Sequence, residues 1–238
     1  MSEVVLEVKN LEVRYGDLIG VSDVSLQVKK GSVVALLGSN GAGKTTTLNA
    51  IAGLIPHAGG QVLFEGAEIS GRPAYEIVCK GLALAPEGWR LFVQQSVESN
   101  LLLGATTVPS RAKKRELLEK AYTIFPKLAE RREQLAGTMS GGERQMLAVG
   151  RALMSDPNVL LLDEPSLGLA PAIIESMYET LKRLHGLGLT LLLAEQAVDL
   201  ALEISDEAVV LQVGRTAMAG PSHQLANDPN VQKIYLGH

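Results

Sequence analysis

The stretch Val33-Val34-Ala35-Leu36-Leu37-Gly38-Ser39-Asn40-Gly41-Ala42-Gly43-Lys44-Thr45 decides the fold. Its first five residues are apolar without a break. That is the pattern of a short strand covered on both faces, and such strands belong to mainly parallel sheets. The remaining residues match G-x-x-x-x-G-K-[ST] and run into Thr46-Thr47-Leu48-Asn49-Ala50-Ile51-Ala52-Gly53, which reads as a helix stopped by Gly53. Glycines let the backbone curl until its N–H groups point inward at phosphate oxygens, and the helix that follows adds its positive end. Gly38, Ser39, Asn40, Gly41, Ala42, Gly43 and Thr46 are therefore expected to line a phosphate site. Lys44 brings a full charge to the β- and γ-phosphates, and Thr45 brings a hydroxyl to Mg²⁺. The Lys44 side chain is expected to lie outside the core.

Working outward, the alternation of Val4, Leu6 and Val8, and of Val24, Leu26 and Val28, predicts short strands at the N-terminus, and residues 61–64 predict another. From about residue 96 to 132 the text turns helical, with Pro126 marking a break, and reads as a helical subdomain inserted between two stretches of α/β text. After Ser140 come a helix to about Ser155, a strand at 159–162, a helix at 172–185, a strand at 190–194, a short helix and a strand at 208–211. The tail from Gly220 reads as holding one short helix. Strands alternating with helices predict an α/β fold with a mainly parallel sheet, an N-terminal antiparallel β region and one domain over 1–238.

Composition narrows the class. The 238 residues suffice for a substantial core. Apolar residues make up 46% and charged residues 20%, which are globular values. The net charge of −4 gives no basic excess for a nucleic acid, and aromatics at 4% leave little surface for stacking bases. A single cysteine, Cys79, excludes an internal disulfide framework and is expected to be a small buried apolar group. No apolar run approaches the roughly 18 residues of a membrane span, and the opening MSEVVLEVKN does not read as a secretory leader.

A second apolar run, Val159-Leu160-Leu161-Leu162, ends in Asp163-Glu164. Beside a phosphate loop, Asp163 is placed to hold Mg²⁺ through water, and Glu164 to polarise the attacking water. The segment Thr138-Met139-Ser140-Gly141-Gly142-Glu143-Arg144-Gln145 has the S-x-x-E spacing of a capping box. Two glycines inside the first turn cost up to about 1 kcal/mol each, so they imply that something approaches the backbone closely. Trp89 and Phe92 read either as anchors for a partner protein or as packing for the helical subdomain. The four histidines show no metal-ligand spacing, and the basic run at 111–115 reads as a solvated face.

Taken together, these motifs resemble the ATP-binding-cassette family over nearly the whole chain. Ser140-Gly141-Gly142-Glu143 is similar to its signature, and Tyr15 sits where the family stacks an aromatic on adenine. The run from Glu164 to Leu169 is similar to the stretch from catalytic glutamate through D-loop. Glu87 stands where a Mg²⁺-sensing Gln is usual, and Gln196 where a switch His is usual. Pro86-Glu87-Gly88-Trp89-Arg90, residues 165–171, Leu193-Ala194-Glu195-Gln196 and Ile234-Tyr235-Leu236-Gly237 further resemble the ATPase subunits of branched-chain amino acid importers of the LivF type.

The resemblance implies ATP and Mg²⁺ as cofactors. It implies Lys44, Glu164 and Gln196 in the chemistry, Thr45, Glu87 and Asp163 at the metal, and the Ser140 segment acting on the ATP of a second cassette, identical or different. It further implies two transmembrane permease subunits, an external solute-binding protein, no nucleic acid, and a peripheral place on the cytoplasmic face of a bacterial membrane. Importers of urea or amides carry similar text and stay open as the alternative. A soluble cassette acting on ribosomes or DNA is opposed by the single phosphate loop, the absence of a heptad tract and the acidic charge.

Overall fold

In the computed structural model, which describes residues 3–236, the apolar runs become adjacent strands in the parallel half of one ten-stranded sheet. The chain opens with a hairpin of β1 (Val4–Tyr15) and β2 (Leu18–Lys29), turned at Gly16-Asp17. These are long strands rather than the short ones expected. Register shifts along the pair break the simple alternation, and that is why the text read as fragments. Next come β3 (Val33–Leu37), α1 (Lys44–Ile51), β4 (Gly59–Phe64), β5 (Ala67–Glu68), α2 (Ala74–Cys79) and β6 (Leu82–Ala85). Helices α3 (Val97–Gly104), α4 (Arg111–Ile124) and α5 (Pro126–Glu130) follow, Pro126 ending one helix and starting the next. The second half runs α6 (Gly141–Leu153), β7 (Val159–Asp163), α7 (Pro171–Gly186), β8 (Thr190–Glu195), α8 (Val198–Ile204), β9 (Glu207–Gln212) and β10 (Arg215–Pro221). Two helices, not one, close the described chain: α9 (Ser222–Leu225) and α10 (Pro229–Leu236). Gly237, quoted above for its resemblance, lies outside the described residues.

The strand order is β5-β4-β1-β2-β10-β9-β3-β8-β7-β6. Strands β9, β3, β8, β7 and β6 are mutually parallel, while β5, β4, β1 and β2 form the antiparallel wing. Alternation across the sheet explains the unbroken apolar runs. Val33, Ala35 and Leu37 face one core with Leu160, Leu162, Leu191 and Leu193, under the helices α3 to α7. Val34 and Leu36 face the other with Leu161, Leu192 and Ala194, under α1 and the wing. Cys79, at the end of the six-residue α2, is exposed, not buried; the core contact of that helix is Ile77.

Register then positions the site. Leu37 pairs with Glu195, Asp163 with Ala194, and Ala85 with Leu162. The carboxyl ends of β3, β8, β7 and β6 therefore stand in one row, and the segments leaving them meet in the crevice where open α/β sheets bind ligands.

Candidate functional site

The loop leaving β3 can be built only from small residues. A Cβ on Gly38 would stand 2.7 Å from the Ala42 Cβ and 2.9 Å from the Leu211 carbonyl oxygen. Gly43, the residue capping α1, has φ 103° and would put a Cβ 3.1 Å from Val21. Helix α1 has no side-chain cap, so its first N–H groups are left for an external acceptor. Lys44, its first residue, is only 3% exposed. Its Nζ donates to the carbonyls of Gly38 (2.7 Å) and Ser39 (3.2 Å) and pairs with Glu164 Oε1 at 3.0 Å. The expectation that this side chain lies outside the core is thus corrected. The loop folds over it, and the buried ammonium is tolerated because every donor is spent on an oxygen.

Thr45 Oγ1 donates to Asp163 Oδ1 at 3.0 Å. Burial pushes the Asp163 pKa up to about 6, aided by the charges of Glu87 and Glu164 and opposed by the Thr45 hydrogen bond. Glu87, exposed just beyond β6, therefore joins the same electrostatic cluster. Among the described residues no group of three or more His, Cys, Asp or Glu is arranged to hold a metal ion. A hydroxyl and one carboxylate still fit Mg²⁺, a hard cation that takes oxygen ligands and draws the rest from phosphates and water.

Glu164 is held in an uncommon conformation. Its φ is 46°, which costs a non-glycine residue about 1–3 kcal/mol, and Pro165 follows it. A hydrogen bond from its N–H to the Ala194 carbonyl (2.9 Å) fixes it there. Gln196 leaves β8 directly beside this pair, its N–H donating to Glu195 Oε2 at 3.1 Å. Tyr15 is half exposed, and its ring lies over Gly20, where a Cβ would be 2.9 Å from the ring. Its hydroxyl stands 3.3 Å from Thr46 Oγ1, so the aromatic overhangs the start of α1.

The structure brings Tyr15, the phosphate loop, Glu87, Asp163, Glu164 and Gln196 to one edge. The Ser140 segment forms its own feature. Ser140 caps α6 with a full capping box: the Ser140 N–H donates to Glu143 Oε2 (2.9 Å), and the Glu143 N–H to Ser140 Oγ (3.4 Å). The bond from Ser140 holds the Glu143 carboxyl below the usual range. The two glycines have different reasons. A Cβ on Gly142 would meet Ile173 Cγ2 at 2.4 Å, so the close approach there comes from this chain's own α7. Gly141 has only ordinary contacts, the nearest with Trp89 at 3.6 Å.

Trp89 packs at the head of α6, with the Arg144 guanidinium 5.4 Å from its ring, whereas Phe92 is exposed. Trp89 and Arg90 both have positive φ, and Arg151 donates to their carbonyls at 3.0 and 2.8 Å.

Two residues escaped the sequence reading. Nothing in the sequence singles out Arg151, whose two bonds reach carbonyls 61 and 62 residues away. Glu195 is 1% exposed and takes N–H groups from Ser166, Gln196 and Ala197. Burial pushes its pKa up, while these bonds pull it down. The signal was available: a carboxylate closing the otherwise apolar Thr190–Glu195 strand must be buried, and a buried carboxylate needs donors.

This geometry has relatives. A protein-family model described as ABC transporter matches residues 21–167. The high-affinity branched-chain amino acid transport ATP-binding protein BraG of Pseudomonas aeruginosa is 46% identical over 223 residues, 94% of this chain and 95% of that protein. The probable branched-chain amino acid transport ATP-binding protein LivF of Archaeoglobus fulgidus is 39% identical over 233 residues, 98% of each. The crystal structure of the ADP conformation of an ATP-binding cassette of an ABC transporter superimposes with a TM-score of 0.85, at 28% identity over the full length of both chains. A phosphate loop, an acidic strand end and a capped glycine helix on one such sheet agree with all three: the chain belongs to the ABC transporter ATP-binding family.

Proposed function

We propose that this chain binds and hydrolyses ATP as the cytoplasmic motor of an importer for branched-chain amino acids. One observation carries the ATPase part: Lys44, Thr45, Asp163, Glu164 and Gln196 converge at the carboxyl ends of three adjacent parallel strands. The names of the relatives at 46% and 39% identity carry the cargo. Among the described residues no helix is long and apolar enough to cross a membrane, so the solute path is assigned to two partner permease subunits, fed by an external solute-binding protein. The chain is read as one cassette domain, peripheral on the inner face of a bacterial membrane, with residues 96–132 as its helical subdomain and a second cassette as its working partner.

The chemistry is mainly positioning and electrostatics. The loop amides from Gly38 to Thr46 and the open end of α1 receive phosphate oxygens, and Tyr15 offers its face to adenine. Lys44 exchanges the Glu164 carboxylate and two carbonyls for β- and γ-phosphate oxygens. Glu164 is released by that exchange, and its backbone, tied to Ala194, aims the carboxylate at the attacking water. Gln196 donates an amide N–H to the γ-phosphate but supplies no charge. Thr45 and Asp163 would hold Mg²⁺, with Glu87 behind them, and the ion when bound neutralises charge on the phosphates. Ser140, Gly141, Gly142 and Glu143 act on the ATP of the partner cassette.

The test is Glu164→Gln in the complex purified from native membranes. ATP binding persists, turnover nearly stops, and a closed ATP-bound pair accumulates on gel filtration; normal turnover removes Glu164 from the chemistry. Deleting the gene impairs high-affinity uptake of leucine, isoleucine and valine. Intact uptake of all three, with urea or amide uptake lost instead, assigns the chain to the alternative importers.

A further inference from the structure

Resting on the ATPase reading above, we infer that Glu195 is a positioning residue that ties the segment after Glu164 to the segment holding Gln196, so that the two groups flanking the γ-phosphate are set as one unit.

The geometry is a three-way clamp. Glu195 closes β8 and is 1% exposed. Its Oε1 accepts the Ser166 N–H at 3.1 Å, two residues beyond Glu164. Its Oε2 accepts the Gln196 N–H at 3.1 Å and reaches the Ala197 N–H at 3.5 Å. One carboxylate thus gives one oxygen to each loop. Glu164, between Asp163 and Pro165, holds a positive φ of 46°. Such a conformation persists only when its surroundings over-determine it. Two ties to β8 bracket it: its own N–H on the Ala194 carbonyl at 2.9 Å, and the Ser166 N–H on Glu195.

The loop past Ser166 is braced on the same anchor. Leu167 N–H bonds the Glu164 carbonyl at 3.1 Å, and Leu169 N–H bonds the Ser166 carbonyl at 3.3 Å. A neutral or shorter side chain cannot reproduce this. A glutamine presents one oxygen and one NH₂ group, so one loop keeps its acceptor and the other meets a donor. Leaving buried N–H groups without an acceptor is costly, and the local backbone relaxes away.

The experiment uses the full chain for exchange and the native complex for kinetics. Amide hydrogen exchange of the nucleotide-free Glu195→Gln variant is read at Ser166, Gln196 and Ala197. At one or both loops exchange accelerates at least about tenfold, while Leu192 to Ala194 stay protected. In Mg²⁺-ATP hydrolysis kcat falls about tenfold and the KM for ATP stays within about twofold, because ATP contacts are kept and the transition-state geometry is lost. Glu195→Asp, which keeps the charge but is one methylene shorter, reaches only one loop and shows an intermediate loss.

Unchanged kcat in Glu195→Gln with accelerated exchange overturns the inference, since the bonds then exist without positioning anything. A rise in KM that matches the fall in kcat overturns it too, as does failure of both variants to fold. A wild-type complex that does not hydrolyse ATP defeats the ATPase reading itself, and the exchange data still report on the clamp.

Discussion

Lys44 and Glu164 form the only ion pair among the described residues in which both side chains are nearly inaccessible, 3% and 7% exposed. Removing one partner of such a pair leaves a buried charge without compensation and costs about 3–5 kcal/mol. The prediction therefore concerns the nucleotide-free protein. Lys44→Met keeps the apolar stem and deletes the ammonium, leaving the Glu164 carboxylate and the Gly38 and Ser39 carbonyls without their donor. We expect a loss of about 3 kcal/mol, which for a chain of this size lowers Tm by roughly 6–12 °C.

Glu164→Gln is milder, about 1–2 kcal/mol, because the Lys44 ammonium loses its counter-charge but keeps the amide oxygen and the Gly38 and Ser39 carbonyls as acceptors. The double variant should be more stable than the sum of the two by about 2 kcal/mol. The assay is urea and thermal unfolding of all four proteins at pH 7.5 in EDTA without nucleotide. Effects additive to within about 0.5 kcal/mol would refute the coupling and, with it, the view that ATP must take Lys44 from Glu164. A loss of ATP affinity in Lys44→Met is expected as well, measured where the variant is still folded.

Asp163 has a folded pKa raised to about 6 from 3.8, so the native state binds more protons than the unfolded one between those values. Its contribution is favourable below about pH 4 and is lost as pH rises through 6. Asp163→Asn should therefore stabilise the nucleotide-free chain by up to about 3 kcal/mol at pH 7.5 and by nothing near pH 4, while Mg²⁺-ATP hydrolysis falls; urea titrations across pH check it. Gly142→Ala should cost about 1–3 kcal/mol by overpacking Ile173, and Ile173→Ala in the same chain should restore the stability but not the hydrolysis if the helix end has its own task. Gln196→His in the assembled complex, read by single-turnover hydrolysis, should raise the slow phase about fivefold, one neutral hydrogen bond becoming charge-assisted; a sharp fall would mean that Gln196 is itself tuned.

The parts legible in the sequence are those whose physics is local. A short run such as Val159-Leu160-Leu161-Leu162, bounded by Pro157-Asn158 and by Asp163-Glu164-Pro165, fits a strand covered twice, and a glycine loop between such a strand and a helix fits a tight turn, so the parallel core and the phosphate loop were readable from local pattern. Strands β1 and β2 were read as shorter than they are, because irregular register breaks the period of two. Strand β6 has only four residues, alternating Leu and Ala, at the sheet edge and gives too short a pattern to stand out. The burial of Lys44 depends on where the chain places Glu164, 120 residues later, and no window of sequence contains both. Gly142 misled for a related reason: a glycine announces a close approach but not the identity of the neighbour, and here that neighbour is Ile173.

The two helix starts differ in a way that supports the proposal that one chain makes half of a site. Helix α1 begins without a side-chain cap, and Lys44, Thr45 and Asp163 surround its open end; in the proposed function this is the end that takes the phosphates of the chain's own ATP. Helix α6 begins differently. Its capping box employs the Ser140 and Glu143 N–H groups, and Arg131 pairs with Glu143 at 3.1 Å, so the turn is rigid before any ligand arrives. The Ser140 hydroxyl is spent in the same box, accepting from the Glu143 N–H and donating to Glu143 Oε2 at 2.8 Å, so what remains at the tip is the backbone around Gly141, a position with no crowding at its missing Cβ. A pre-stiffened turn with small residues at its apex suits docking against a surface built elsewhere. Trp89, under Arg144 and beside Gly141, joins that apex to the loop that follows Glu87, and Arg151 holds the same loop by two carbonyls. In the proposed function these contacts link the end of α6 that meets the second cassette to the loop that follows Glu87, and so offer a motor a path between the joining of two chains and the chemistry inside one.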